Sequence, residues 1–115
     1  MSDRSIRNTS ENMRRELDSI IKTVKDSSLK GEFISISRLE LARDLSGAKI
    51  YVSTFTGIEK TKLIVKALKN AKGYIRGELS KRLDLRHTPE LIFIPDDSIE
   101  YGVHMTKLIG DNNAD

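Results

Sequence analysis

The chain contains no cysteine, no long apolar run and no strong excess of charge of either sign. Without cysteine there is no disulfide framework, no thiol nucleophile and no cysteine-ligated zinc, so an ordinary hydrophobic core must hold the fold. That absence is also compatible with a reducing cytoplasm, the expected location. The longest wholly apolar stretch is Leu91 to Ile94, far short of the roughly 18 residues of a membrane span, so no membrane role is expected. Asp3, Glu11, Glu16 and Asp18 are foreign to signal and transit peptides. What remains is a chain of 115 residues, 37% hydrophobic and 32% charged. Its size suits one soluble domain burying roughly two thirds of its unfolded surface, and it is too short for a multidomain enzyme.

The net charge of +3 conceals an uneven distribution. Residues 57–89 carry nine basic and three acidic side chains, whereas 90–115 carry one basic and six acidic. A basic middle beside an acidic end points to a polyanionic partner.

Met13, Leu17, Ile20, Ile21 and Val24 follow helical spacing, with Thr9 or Ser10 as candidate caps or a start nearer Ser5. Phe33, Ile34, Ile36, Leu39 and Leu41 mark a strand whose apolar parity shifts between Ile36 and Leu39, which predicts a bulge. After the Asp44–Gly47 link the sequence alternates: Ala48, Ile50 and Val52 face a core, and Lys49, Tyr51 and Ser53 face away. From Ile58 to about Leu85 one apolar stripe runs through Ile64, Ala67, Leu68, Ala71, Ile75 and Leu79. Gly73 interrupts that helix and predicts a kink or break, and Thr88-Pro89 predicts its end. Leu91 to Ile94 reads as a strand, and Asp97 with Glu100 as the capping box of a last helix reaching about Ile109. The predicted order is α-β-β-α(kink)α-β-α. This is an α+β fold with a mixed three-stranded sheet and helices on one face, residues 1–110 forming the domain and 111–115 a frayed tail.

On a continuous helical wheel, Lys62, Lys66, Lys69, Gly73 and Arg76 fall about 120–200° from Ile64, opposite the apolar stripe. Lys72 lies on the flank, and Lys81, Arg82 and Arg86 extend the charge beyond Gly73. Such a ridge suits a phosphate backbone, with Gly73 permitting close approach. A solvated lysine face is the competing reading, and the pattern by itself leaves both open. Arg4 and Arg7 can extend the footprint, since only Asp3 is close to them in sequence. Two helices meeting at a glycine also suit a DNA-binding regulator of helix-turn-helix type, although the stripe continuing through Gly73 speaks against its sharp turn.

Four segments in order carry a family resemblance: Arg38 to Ser53, Ala67-Leu68 through Gly73-Tyr74-Ile75-Arg76, Leu83 to Leu91, and Asp97-Ser98-Ile99-Glu100 with Gly102. On these the chain resembles the ribosome-binding factor A family. The resemblance implies a type II KH-like fold in which an Ala-x-Gly kink, here Ala71-Lys72-Gly73, replaces the Gly-x-x-Gly loop. It implies binding to the small ribosomal subunit or its precursor and help with late processing of its RNA around the 5′-terminal helix. It further implies a role in cold growth, no covalent catalysis and no cofactor, and in some bacteria release by a ribosome-associated GTPase. A monomer is expected. Asp26-Ser27-Ser28-Leu29 departs from the family's Asp-Pro-Arg-Leu, which removes a rigid turn and a positive charge.

No catalytic constellation competes. Asp96, Asp97 and Glu100 fit a helix start better than a metal or acid–base pair. His87 and His104 are far apart, and of the tyrosines only Tyr51 is placed for an exposed sheet face.

Overall fold

The computed structural model describes residues 3–96. In order these form α1 (Asp3–Ile21), β1 (Ile34–Leu41), β2 (Gly47–Thr54), α2 (Ile58–Asn70), α3 (Lys72–Leu83) and β3 (Glu90–Pro95). The predicted capping box at Asp97 and Glu100, the last helix and the tail lie outside the described residues.

Helix α1 buries Met13, Leu17, Ile20 and Ile21, the predicted stripe. It begins earlier than expected, so Ser5, Thr9 and Ser10 lie inside it. Ser10 does not cap the helix; its hydroxyl donates to the Leu39 carbonyl at 3.4 Å and ties α1 to β1.

The sheet order is β1-β2-β3. The central β2 runs antiparallel to β1, to which a short link joins it, and parallel to β3, reached through the helices. The bulge falls between Ile36 and Arg38. Passing over Ser37 there restores the parity that puts Ile34, Ile36, Leu39 and Leu41 on the face bearing Ala48, Ile50 and Val52. Leu91 and Phe93 complete that face, against which the buried side chains of α1, α2 and α3 close one core. Ser53 departs from expectation: its alternation is outward, yet it is fully buried opposite Ser35, and its hydroxyl has no hydrogen-bond partner among the described residues.

Gly57, at φ 102°, makes the turn from β2 into α2 in a region of backbone space that side-chain-bearing residues rarely occupy. Below the turn, the Thr61 hydroxyl donates to the Gly57 carbonyl at 2.9 Å and pairs with the Thr54 hydroxyl at 2.9 Å. These hydroxyls fix the strand-to-helix angle.

The break predicted at Gly73 occurs two residues earlier. Ala71 (φ −93°, ψ 9°) separates α2 from α3 and shares its N–H between the carbonyls of Ala67 and Leu68, both at 3.1 Å. Its own carbonyl accepts the Ile75 N–H at 3.0 Å, so the interruption is one residue long. Ile64, Leu68, Ile75 and Leu79 remain fully buried across it, which is why the stripe reads as continuous. The second half ends at Leu83, not Leu85. Asp84 turns left-handed at φ 50°, and Leu85 donates back to the Ser80 carbonyl at 3.2 Å. Pro89 therefore lies beyond the stop and does not cause it.

Candidate nucleic-acid interface

The joint of α2 and α3 concentrates the sequence-predicted site. Among the described residues, a methyl group added at Gly73 would meet no atom within 4 Å beyond its chain neighbours and its own helix backbone, so the surface over the first turn of α3 is open. Lys66 and Lys69, on the last two turns of α2, are exposed and make no ion pair among the described residues. Ala71, the break itself, is partly buried against the core and fixes the joint without offering a polar group.

The other expected cations are placed differently. Lys62 pairs with Glu59 at 3.5 Å, Lys72 reaches Glu90 at 3.6 Å, and Lys81 lies 3.8 Å from Glu78. Arg82 spans from α3 to α1, 3.4 Å from the Glu16 carboxylate and 3.0 Å from the Ser19 hydroxyl. Arg76 is half-buried: its Nη2 donates to the Thr88 carbonyl at 2.7 Å, and its Nε is buried without a partner among the described residues. It fastens α3 to the segment before β3 instead of lining an outward ridge. A continuous wheel misplaces it because the break at Ala71 separates the two helices. Arg86, past α3, and Arg7, in α1, are exposed and unpaired among the described residues, while Arg4 belongs to the first turn of α1. Among the described residues the uniform ridge thus resolves into Lys66 and Lys69, unpaired at the end of α2, a set engaged with carboxylates (Lys62, Lys72, Lys81 and Arg82), Arg76 turned to a backbone carbonyl, and the outlying, unpaired Arg7 and Arg86. Exposed pairs of that kind are each worth about 0–1 kcal/mol, so phosphate can displace their partners at little cost.

One residue between α2 and α3 is too short for the three- or four-residue turn of a helix-turn-helix, which removes the DNA-regulator geometry.

Sequence reasoning misses a second feature. Phe33 and Phe55 are each 67% exposed, with ring centroids 5.4 Å apart. In the sequence they read only as strand formers, and the signal is their position: each sits one residue outside a strand end and opposes the parity of the core-facing Ile34 and Thr54. Beside Phe33, a cavity of about 620 Å³ opens between the end of α1 and the start of β1. Tyr51 has an engaged ring, with the Arg38 guanidinium 4.2 Å above its centroid.

A mixed three-stranded sheet in the order α-β-β-α-α-β, with a one-residue joint bearing Ala71-Lys72-Gly73, defines a KH-like α+β domain of the type II order. The model of the family described as ribosome-binding factor A matches residues 5–109. A ribosome-binding factor A of Caldicellulosiruptor bescii is 46% identical over 106 residues, 90% of this chain and 80% of that protein. The solution structure of a Thermotoga maritima protein described as a putative ribosome binding factor A is 34% identical, with a TM-score of 0.70, covering 80% of this chain and 87% of its own. Thermus thermophilus ribosome binding factor A, a homology model fitted into a cryo-electron-microscopy map of a 30S complex, is 25% identical. It aligns with a TM-score of 0.64 over 77% of this chain and 92% of its own. This chain belongs to the ribosome-binding factor A family.

Proposed function

We propose that the chain is an assembly factor that binds the small ribosomal subunit or its precursor through the α2–α3 joint. There it assists late maturation of the subunit's RNA, including the 5′-terminal helix, without a covalent step. The observation that carries this reading is the open surface over Gly73 together with Lys66 and Lys69, which are unpaired among the described residues. It supports backbone approach by RNA in a chain whose Thermus relative has been fitted into a 30S complex. Two free cations beside a side-chain-free turn suit phosphates and carry no base specificity, so specificity comes from the shape of the RNA. In this reading the factor acts as a monomer in the cytoplasm, contributes to growth in the cold, and is released when a ribosome-associated GTPase engages the particle. No helix of the described residues is long and apolar enough to cross a membrane.

The test is co-sedimentation with immature small subunits. The Lys66→Glu/Lys69→Glu variant, with an unchanged circular dichroism spectrum, should lose most of its co-migration at moderate salt. Co-migration equal to that of the unsubstituted protein would remove the joint from the interface.

A further inference from the structure

We infer that the cavity between α1 and β1 is a second RNA-binding site, one that takes a single unpaired nucleotide with its base on Phe33 and its phosphate among Lys22, Lys25 and Lys30. This second site deepens the small-subunit reading and rests on it.

The cavity, at about 620 Å³, lies within the roughly 300–1,000 Å³ range of small-molecule pockets. Its three lysines have no ion-pair partner among the described residues. The carboxylates that share the lining are largely committed. Glu32 is held by Lys60 at 3.5 Å and by the Thr56 hydroxyl at 3.4 Å, and Asp26 accepts the Ser28 N–H at 2.8 Å. Asp18 is the third acid, so with Lys60 counted the site has four cations to three carboxylates, an excess of one among the described residues. The end of α1 does not repel an anion strongly. The Ile20 carbonyl accepts both the N–H and the hydroxyl of Thr23, and the Ile21 carbonyl accepts the Val24 N–H.

Phe33 forms the aromatic wall. Phe55, tilted 31° against it, packs on one side of the ring and leaves most of it open. An exposed ring beside lysines that have no ion-pair partner among the described residues is the arrangement that single-stranded nucleic acid uses, stacking on the ring and neutralising phosphate alongside. An isolated exposed phenylalanine would mean little. Here ring, cavity and charge converge.

The cavity also connects to the first interface. Tyr74, in the first turn of α3 beside Gly73, shares a 2.7 Å hydrogen bond with Thr23, the neighbour of the cavity-lining Lys22. One RNA strand can therefore cross from the α2–α3 joint over Tyr74 and leave a flipped-out nucleotide in the cavity.

The experiment is an NMR titration of the full chain, ¹⁵N-labelled, with adenosine monophosphate, adenosine and inorganic phosphate as separate probes. The monophosphate should shift amides of residues 22–35 and 55 and the ring protons of Phe33. Adenosine should move the ring protons more weakly, and phosphate should move only the lysine segment. Phe33→Ala, a substitution at an exposed position, should keep the fold and weaken monophosphate binding at least about fivefold, the lower end of a base–aromatic stack. Lys66→Ala/Lys69→Ala should leave that binding unchanged. Absence of shifts at millimolar monophosphate, shifts centred on residues 66–77, or equal binding by Phe33→Ala would each overturn the inference. So would a response to phosphate as large as that to the monophosphate, which would make the cavity an anion site only. Co-sedimentation of the unsubstituted chain with small subunits separates the two proposals: co-migration of a chain that shows no nucleotide response refutes the cavity and leaves the joint standing.

Discussion

Replacing Arg76 by alanine tests whether this side chain fastens the fold or faces a ligand. Its Nη2 donates to the Thr88 carbonyl at 2.7 Å, a charge-assisted hydrogen bond of the kind worth about 1.5–3 kcal/mol. Against that stands the buried Nε, without a partner among the described residues, whose removal relieves a desolvation penalty of about 1 kcal/mol. The aliphatic stem of this half-buried residue adds back a fraction of a kilocalorie in packing. The expected net loss is about 1–2 kcal/mol, or roughly 4–15 °C in Tm for a domain of this size. Urea unfolding followed by circular dichroism measures it, with Lys69→Ala as the comparison, which should stay within about 0.5 kcal/mol of the unsubstituted protein. An Arg76→Ala midpoint equal to that of Lys69→Ala would refute the assignment and return Arg76 to the outward surface.

Gly73→Ala should raise helix stability by up to about 1 kcal/mol, because the added methyl meets nothing within 4 Å. The same methyl should weaken small-subunit binding by occupying the space a phosphate needs; thermal melts and co-sedimentation on one sample read both effects, and unchanged binding would speak against close approach there. Thr61→Val removes the hydroxyl that joins Thr54 to the Gly57 carbonyl and should cost about 1–2 kcal/mol in urea unfolding. The hydrogen bonds from the Ser46 hydroxyl and N–H hold the Asp44 carboxyl below the ordinary aspartate range, and the hydrogen bond and charge of Arg14 do the same for Glu11. Each therefore stabilises the fold above the ordinary carboxylate pKa, and that contribution is lost as pH falls from there through the lowered value. Carbon-detected NMR titration should show both midpoints below those of unstructured peptides, and Ser46→Ala should bring Asp44 back toward them.

The fold is legible in the sequence where its signals are local. Alternation in Ala48-Lys49-Ile50-Tyr51-Val52 marks the central strand, and the parity shift after Ile36 marks the bulge. Spacing from Ile64 to Leu79 marks the buried stripe. The break is expected two residues too late because glycine is the stronger helix breaker by propensity, whereas Gly73 is accommodated within the first turn of α3 and Ala71 takes the irregular dihedrals. The site is less legible because its cations depend on partners distant in sequence. Glu90 is 18 positions from Lys72, Glu16 is 66 from Arg82, and Thr88 is 12 from Arg76. No wheel of one helix contains those pairings. The same reason hides the Phe33–Phe55 pair, which exists only once β1 and β2 are in register.

The most direct measurement is the salt dependence of affinity for immature small subunits, compared between the natural chain and Lys66→Ala/Lys69→Ala. If both lysines sit on phosphates, the slope of log K against log salt should become shallower by roughly 1.4–1.8, about 0.7–0.9 for each phosphate no longer neutralised. Parallel lines for the two proteins would contradict the claim that the exposed end of α2, beside the open turn at Gly73, is where ribosomal RNA is held.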